Sequence, residues 1–563
     1  MAVTFAGGTV VDGGGEPAYR ADVTVDGGRI VAISRAGRAT GPVCDIRGLA
    51  IAPGFIDMHS HSDLALLTDP WHEAKITQGV TLEVVGQDGL SYAPADEPAL
   101  AELRRKLAGW NGDSELLNQP WRSVAAYLRL LRGRAPVNAG YLVPHGTVRL
   151  LVAGAEDRPA TAEELRRMCQ IVDRAMTDGA LGLSAGLTYT PGMYADTDEL
   201  VALCAVVAAR GGYYCPHHRS YGRGALDAYA EQIEIARRSG VALHLAHALL
   251  NYPVNQGRAG ELIDLIDNAI AEGVDISFDS YPYLAGSSYL HALLPSWAQA
   301  GGHEATLRRL RDPSLRPRLR HELEQVGSDG NHGVPVDWAA VRVAGLSRAT
   351  DPGAVGATVA ELAERRRLAP SEVYLQLICD DQLGATALFE VGNPENVERL
   401  MTHPAHTVGS DGILVGARPH PRAWGAFPRY LGHYVRERGT LRLETAVAHL
   451  TGSAARRLRL ADRGRVLPGH AADLVCFDPD TIADTATYQA PRQRSTGIRH
   501  VMVNGEFVME DGELTGRRPG RAIRSTTTPS HPAATAVVDP PPTSGQAAPT
   551  LGEFHDESSA AGW

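Results

Sequence analysis

Up to about residue 52, apolar and polar residues alternate between glycine turns, as in Asp22-Val23-Thr24-Val25-Asp26-Gly27-Gly28-Arg29-Ile30-Val31-Ala32-Ile33. A period of two marks half-buried antiparallel strands, and Asp-Gly-Gly is a hairpin turn. The pattern returns at Ala472–Asp478 and His500–Val508. Residues 1–52 and 460–525 are therefore expected to form one small β-sandwich domain from both chain ends. Across 53–459, strand-like and helix-like patterns alternate, which predicts α/β architecture with a parallel sheet. Eight strands are expected, at Ile51–His59, Thr81–Gln87, Asn138–His145, Leu181–Leu187, Gly212–His217, Ala242–His247, Asp275–Tyr281 and His406–Asp411. Helical patterns such as Thr161–Asp178, opened by a Thr161/Glu164 capping box, and Leu226–Ser239 lie between them. Eight is the strand count of a closed (β/α)8 TIM-like barrel. The stretch from Tyr281 to His406 is too long for one loop. Its helical segments Arg316–Gln325 and Ala357–Arg367 predict an inserted subdomain, at about 284–404, able to cover the barrel mouth.

Composition narrows the class of protein. The chain has 563 residues, 44% of them hydrophobic, enough for a large core. A net charge of −11 argues against nucleic acid as a partner, because phosphate binding needs a basic face. The six cysteines are scattered and read as reduced thiols. No signal-peptide pattern opens the chain, and no apolar run reaches the roughly 20 residues of a membrane helix. A cytoplasmic protein without membrane partners is expected, and a homo-oligomer is left open. From about Thr526 to residue 563, Pro, Ala, Ser and Thr dominate, predicting a disordered tail.

Several strands end in residues that bind metal. His59 and His61 are separated by one residue, so on a strand both imidazoles project to one side. A bare His-x-His also occurs as two exposed loop histidines, but the apolar run Ala52–Asp57 leads directly into this one. His217 and His247 end the fifth and sixth strands. Of their neighbours, His218 is expected to face solvent or lie behind the ligands, and His244 to lie behind the ligands or in the core. Asp411, in Gly409-Ser410-Asp411-Gly412, ends the eighth strand, where a carboxylate can touch metal and take a proton from bound water. Asp88, in Gly86-Gln87-Asp88-Gly89, supplies a further carboxylate after the second strand. Each Asp-Gly pair would otherwise be read as a turn. Gathered at one barrel end, these residues describe a metal-dependent hydrolase.

The order His-x-His after strand one, histidines after strands five and six and aspartate after strand eight resembles the amidohydrolase superfamily. Within it, residues 2–524 are similar to the N-acyl-D-amino-acid deacylases (D-aminoacylases). The resemblance is carried by Gln78–Thr81, Gly182–Gly192, Tyr281–Ser287, Gly409–Gly412 with His420-Pro421-Arg422, and Thr515–Arg521. It implies one or two Zn2+ ions per chain, an N-acyl amino acid as substrate, and amide hydrolysis with Asp411 as general base and then acid. It implies Tyr189 and Tyr281 as pocket residues, with Arg422, and less strongly Arg219, on the substrate carboxylate, since a guanidinium grips a carboxylate in bidentate fashion. Two positions depart from the family. Its common cysteine ligand after strand two is Asp88 here, a harder donor expected to bridge, with Glu83 as the alternative. The lysine often found two residues beyond the sixth-strand histidine is Leu249. No carboxylated-lysine bridge stands out. Another amidohydrolase reaction, on a cyclic amide, dipeptide or D-residue-containing natural product, is the nearest alternative; a silent scaffold would have no need of the ligand set.

Overall fold

The computed structural model describes residues 2–37, 41–348 and 351–525; the tail expected from residue 526 lies outside them. All eight expected barrel strands are present: β1 Phe55–Asp57, β2 Val80–Val85, β3 Asn138–Pro144, β4 Gly182–Gly186, β5 Tyr213–His217, β6 Ala242–Leu245, β7 Ile276–Ser280 and β8 His406–Val408. They pair in parallel in chain order. Between β8 and β1 the ring is completed by Met58 N–H to Val408 O (3.0 Å) and Asp411 N–H to His59 O (2.8 Å). The alternation read from the sequence sorts side chains to two faces. Ile56, Leu82, Val84, Leu142 and Cys215 meet in one cluster inside the ring. Phe55, Val85, Tyr141, Leu183, Tyr214 and Leu245 belong to the layer beneath the helices.

The first expected strand, Ile51–His59, is two strands. Ala50–Pro53 pairs with Leu474–Phe477 in the terminal sheet, and only from Phe55 does the chain enter the barrel. Gly54 is the crossing point, and a Cβ there would lie 2.2 Å from the Thr81 side chain, so glycine is required. Periodicity could not reveal this break, because both halves are fully buried and read as one apolar run.

Both chain ends do share a sheet. Ten strands between Val3 and Leu514 form it, and it curls over a core that includes Phe5, Val23, Ile51, Leu474 and Met502. The hairpin Tyr19–Asp26/Arg29–Arg35 turns through Gly27 and Gly28, both at positive φ.

The helix Ala162–Thr177 begins at the capping box, with Thr161 accepting from Glu164 N–H and Glu164 accepting from Thr161 N–H. Such a cap is worth about 1 kcal/mol. Met168, Val172, Ala175 and Met176 form its buried face.

After β7 the chain leaves the barrel. Ala285–Tyr289, Val341–Gly345 and Thr386–Glu390 form a three-stranded antiparallel sheet. Its helices pack with it over a separate core that includes Leu307, Val343, Val359, Tyr374 and Ile378. Pro394–Met401, inside the stretch expected to be inserted, instead packs on the helix Ala259–Ala271 in the outer layer of the barrel.

Candidate metal centre and cavity

His59, His61, His217, His247, Asp88 and Asp411 converge at the C-terminal mouth of the barrel. Their donor atoms form two groups, each within 4.8 Å: His59, His61, Asp88 and Asp411, and then Asp88, His217 and His247. Asp88 is common to both. One of its oxygens lies 3.4 Å from His59 Nε2 and 3.4 Å from His247 Nε2. The other lies 3.6 Å from His61 Nε2 and 3.5 Å from His217 Nδ1. Asp411 presents Oδ1 to His61 Nε2 at 3.2 Å and Oδ2 to Arg422 Nη2 at 2.8 Å.

Three of the six, Asp88 (φ 54°), His247 (φ 28°) and Asp411 (φ 49°), have left-handed backbones. Each lies just beyond its strand, where this conformation turns the side chain into the mouth. For a non-glycine residue that conformation costs on the order of 1–3 kcal/mol and persists only where the surroundings enforce it. Around Asp88 they do. Asp63 accepts from Gly86 N–H (3.0 Å) and the Ser91 hydroxyl (2.5 Å), and Ser184 Oγ accepts from Gly89 N–H (3.1 Å).

The donor chemistry suits a metal cation. All six groups are buried, and neither His59 nitrogen nor Asp88 Oδ1 has a hydrogen-bond partner. Buried polar atoms without partners are costly. The far ring nitrogens are held in the way a metal-facing imidazole requires. With Nδ1 of His217 turned to Asp88, its Nε2 meets the Thr188 hydroxyl at 2.7 Å. With Nε2 of His247 turned there, its Nδ1 meets the Tyr221 hydroxyl at 2.8 Å. Asp279, fully buried on β7, lies 3.9 Å from His59 Nδ1 and accepts from His247 N–H at 2.9 Å.

Charge in the group is strongly coupled. Burial works against the Asp411 carboxylate, but the Arg422 guanidinium and the neighbouring imidazoles outweigh it and hold it well below the usual carboxylate range. Burial likewise opposes charge on His61, yet Asp411 and Asp88 push its pKa up to about 9.

The donors open onto a cavity at the barrel mouth. Tyr189, Tyr281 and Arg422 line it, together with Trp110 and Tyr221, which no motif marks. Arg422 is fully buried, with Nε and Nη1 unpartnered, and its guanidinium carbon sits 4.4 Å over the Tyr281 ring. Ser288, Leu293, His332 and Phe389 bring the inserted region into the wall.

Two expectations need correction. Arg219 does not line the cavity; it pairs with Glu231 at 2.8 Å and donates to the Met193 and Ala195 carbonyls. Its guanidinium is spent on holding the segment after β4. Glu83, the alternative to Asp88, is turned away from the donors and paired with Lys75 and His72. Of the two placements expected for His218, the structure shows the one behind the ligands: it is fully buried, its ring 4.0 Å from those of Tyr229 and of Tyr221, which bonds His247. It follows His217 directly and so falls on the opposite, helix-covered face. His244 is buried behind the donors, as expected, and bonded to Ser277 and to Asp279. Asp279 was legible in principle, as a lone carboxylate in a buried strand, which must have partners.

Fold and donor set together define a barrel with a histidine- and carboxylate-lined metal-binding mouth. Comparison with known proteins gives its family. Residues 42–509 match the model of the amidohydrolase family. The chain is 36% identical to a D-aminoacylase of Alcaligenes xylosoxydans xylosoxydans over 93% of its length and 97% of that protein's. It is 36% identical to an N-acyl-D-glutamate deacylase of the same organism, over 93% and 96%. The crystal structure of N-acyl-D-glutamate deacylase from Bordetella bronchiseptica, complexed with zinc and a phosphonate mimic of the tetrahedral intermediate, superposes with a TM-score of 0.80 at 33% identity, over 93% of this chain and 99% of that one. The protein belongs to the amidohydrolase family, in its D-aminoacylase group.

Proposed function

We propose that the protein is a zinc-dependent deacylase that hydrolyses N-acyl-D-amino acids to a carboxylic acid and a free D-amino acid. The observation that carries this reading is the buried, half-unpartnered Arg422 beside Asp411 and the histidine cluster. It puts a carboxylate anchor next to a hydrolytic centre, as an N-acyl amino acid requires. His59, His61, His217, His247, Asp88 and Asp411 would hold one or two zinc ions, with Asp88 common to both donor groups. Bound zinc would polarise the amide carbonyl and lower the pKa of a coordinated water toward neutrality. Asp411, kept ionised by Arg422 and oriented by His61, takes the proton of the attacking water and returns it to the departing nitrogen. Arg422 grips the substrate carboxylate through its free Nε and Nη1, and the Tyr281 ring keeps the guanidinium plane fixed. Tyr189, whose hydroxyl lies 2.9 Å from Ser288 Oγ, stands beside His217, where it can orient the acyl group.

The substrate is a small molecule. No helix among the described residues is long and apolar enough to cross a membrane. All six cysteines are free thiols, which supports work in a reducing cytoplasm. The test is release of free amino acid from N-acetyl-D-, N-acetyl-L- and cyclic amide substrates, with zinc content measured on the same protein. D-selective release, abolished by Asp411→Asn, is expected. Hydrolysis of cyclic amides alone, or full activity in Asp411→Asn, would overturn the reading.

A further inference from the structure

A second buried cluster, outside the cavity wall, has no part in the chemistry above. Asp57, His72, Lys75 and Glu83 are all wholly buried. Lys75 Nζ lies 2.6 Å from Asp57 Oδ2 and 3.1 Å from Glu83 Oε1, and donates to Ser410 Oγ (2.8 Å) and Ser60 Oγ (3.1 Å). Glu83 Oε1 accepts from the Ser60 and Ser62 hydroxyls at 2.7 and 2.9 Å, and Glu83 Oε2 pairs with His72. Asp57 Oδ1 accepts from Ser410 N–H at 2.8 Å and His59 N–H at 3.2 Å, and its Oδ2 accepts from the Ser410 hydroxyl at 2.6 Å.

Buried ion pairs add little net stability, since desolvation offsets their attraction. What this one does is visible in where its bonds end. Ser60 lies between His59 and His61, Ser410 precedes Asp411, and the His59 amide belongs to a ligand itself. The bonds also cross the seam between β1 and β8, where few backbone bonds join the two strands. Burial pulls the Lys75 ammonium down, but Asp57 and Glu83 outweigh it and keep it charged.

We infer that Lys75, with Asp57 and Glu83, is a positioning centre that ties the His59–His61 and Ser410–Asp411 segments together across the barrel seam, setting the spacing of three metal donors before metal arrives. The inference rests on the metal-centre reading above. It is tested on protein stripped of metal and reloaded with cobalt(II), reading the visible absorption of the bound ion and the rate of its loss to a chelator. Ser410→Ala removes one link without stranding a charge, and the double variant Lys75→Met with Asp57→Asn removes the central pair together. Glu199→Gln, which breaks the buried His145–Glu199–Arg149 group elsewhere, is the control for destabilisation alone. Both cluster variants are expected to change the cobalt spectrum and lose the ion about tenfold faster or more, the usual scale for residues behind metal ligands. The control is expected to lower the melting temperature and leave both readouts unchanged. Cluster variants that match the wild type in both readouts overturn the inference alone. A wild-type protein that takes up no cobalt overturns the metal centre, and this inference with it.

Discussion

Replacing Arg422 with leucine separates two jobs that the geometry gives to one guanidinium. Its Nε and Nη1 are buried without partners, while its Nη2 lies 2.8 Å from Asp411. A substrate carboxylate left in this cavity without a counter-charge is in the position of a buried ion pair that has lost one member. That loss costs about 3–5 kcal/mol, on the order of a hundred- to a few-thousand-fold in kcat/KM. The same substitution removes the foremost attraction holding the Asp411 carboxylate down. Asp411 must then protonate at higher pH, so the acid limb of the kcat profile moves up. The assay is amino-acid release from an N-acetyl-D-amino acid and from its carboxamide, which keeps the shape but lacks the charge. Wild-type protein should strongly prefer the acid, and Arg422→Leu should lose most of that preference. A preference unchanged in the variant would refute the assignment of Arg422 to the substrate, whatever the fall in overall rate.

Three further outcomes follow from the same geometry. Asp88→Asn keeps the volume but removes the charge shared by both donor groups, so metal content per chain should fall by at least one ion if two are bound; unchanged content by elemental analysis would exclude Asp88 as a common ligand. His61, with its pKa near 9 in the metal-free protein, must shed a proton to bind metal. Zinc affinity should therefore rise roughly tenfold per pH unit below about 9 and level off above it, and a flat chelator-competition profile between about pH 6.5 and 8.5 would contradict this. Among the described residues lining the cavity, Arg422 is the one arginine or lysine. With that cation engaged by the α-carboxylate, N-acetyl-D-glutamine should be turned over on the order of tenfold faster or more than the isosteric N-acetyl-D-glutamate, whose second charge lacks a partner. Equal rates would mean that a cation reaches the side chain.

The barrel, the sheet shared by both chain ends and the donor residues at the strand ends were legible in the sequence. Each follows from local rules: a period of two, a strand count, and ligand-type residues at strand ends. Glycine-54's crossing between sheets was hidden, because two fully buried strands in succession look like one. Which of several polar residues points where is set by the packing of distant segments. His217 and His218 are neighbours in the chain, yet one faces the mouth and the other is packed under a helix. Asp88 and Glu83 are both carboxylates on or just after β2, but the left-handed turn at Asp88 carries it among the histidines while Glu83 is held by Lys75. Arg422 and Arg219 are equivalent as letters; the first is buried with free donors over Tyr281, and the second is exhausted on Glu231 and two carbonyls. The supporting groups Tyr221, Thr188 and Asp279 come from separate loops and strands. Orientation and partner choice depend on contacts between segments distant in the chain, and local patterning carries no record of those.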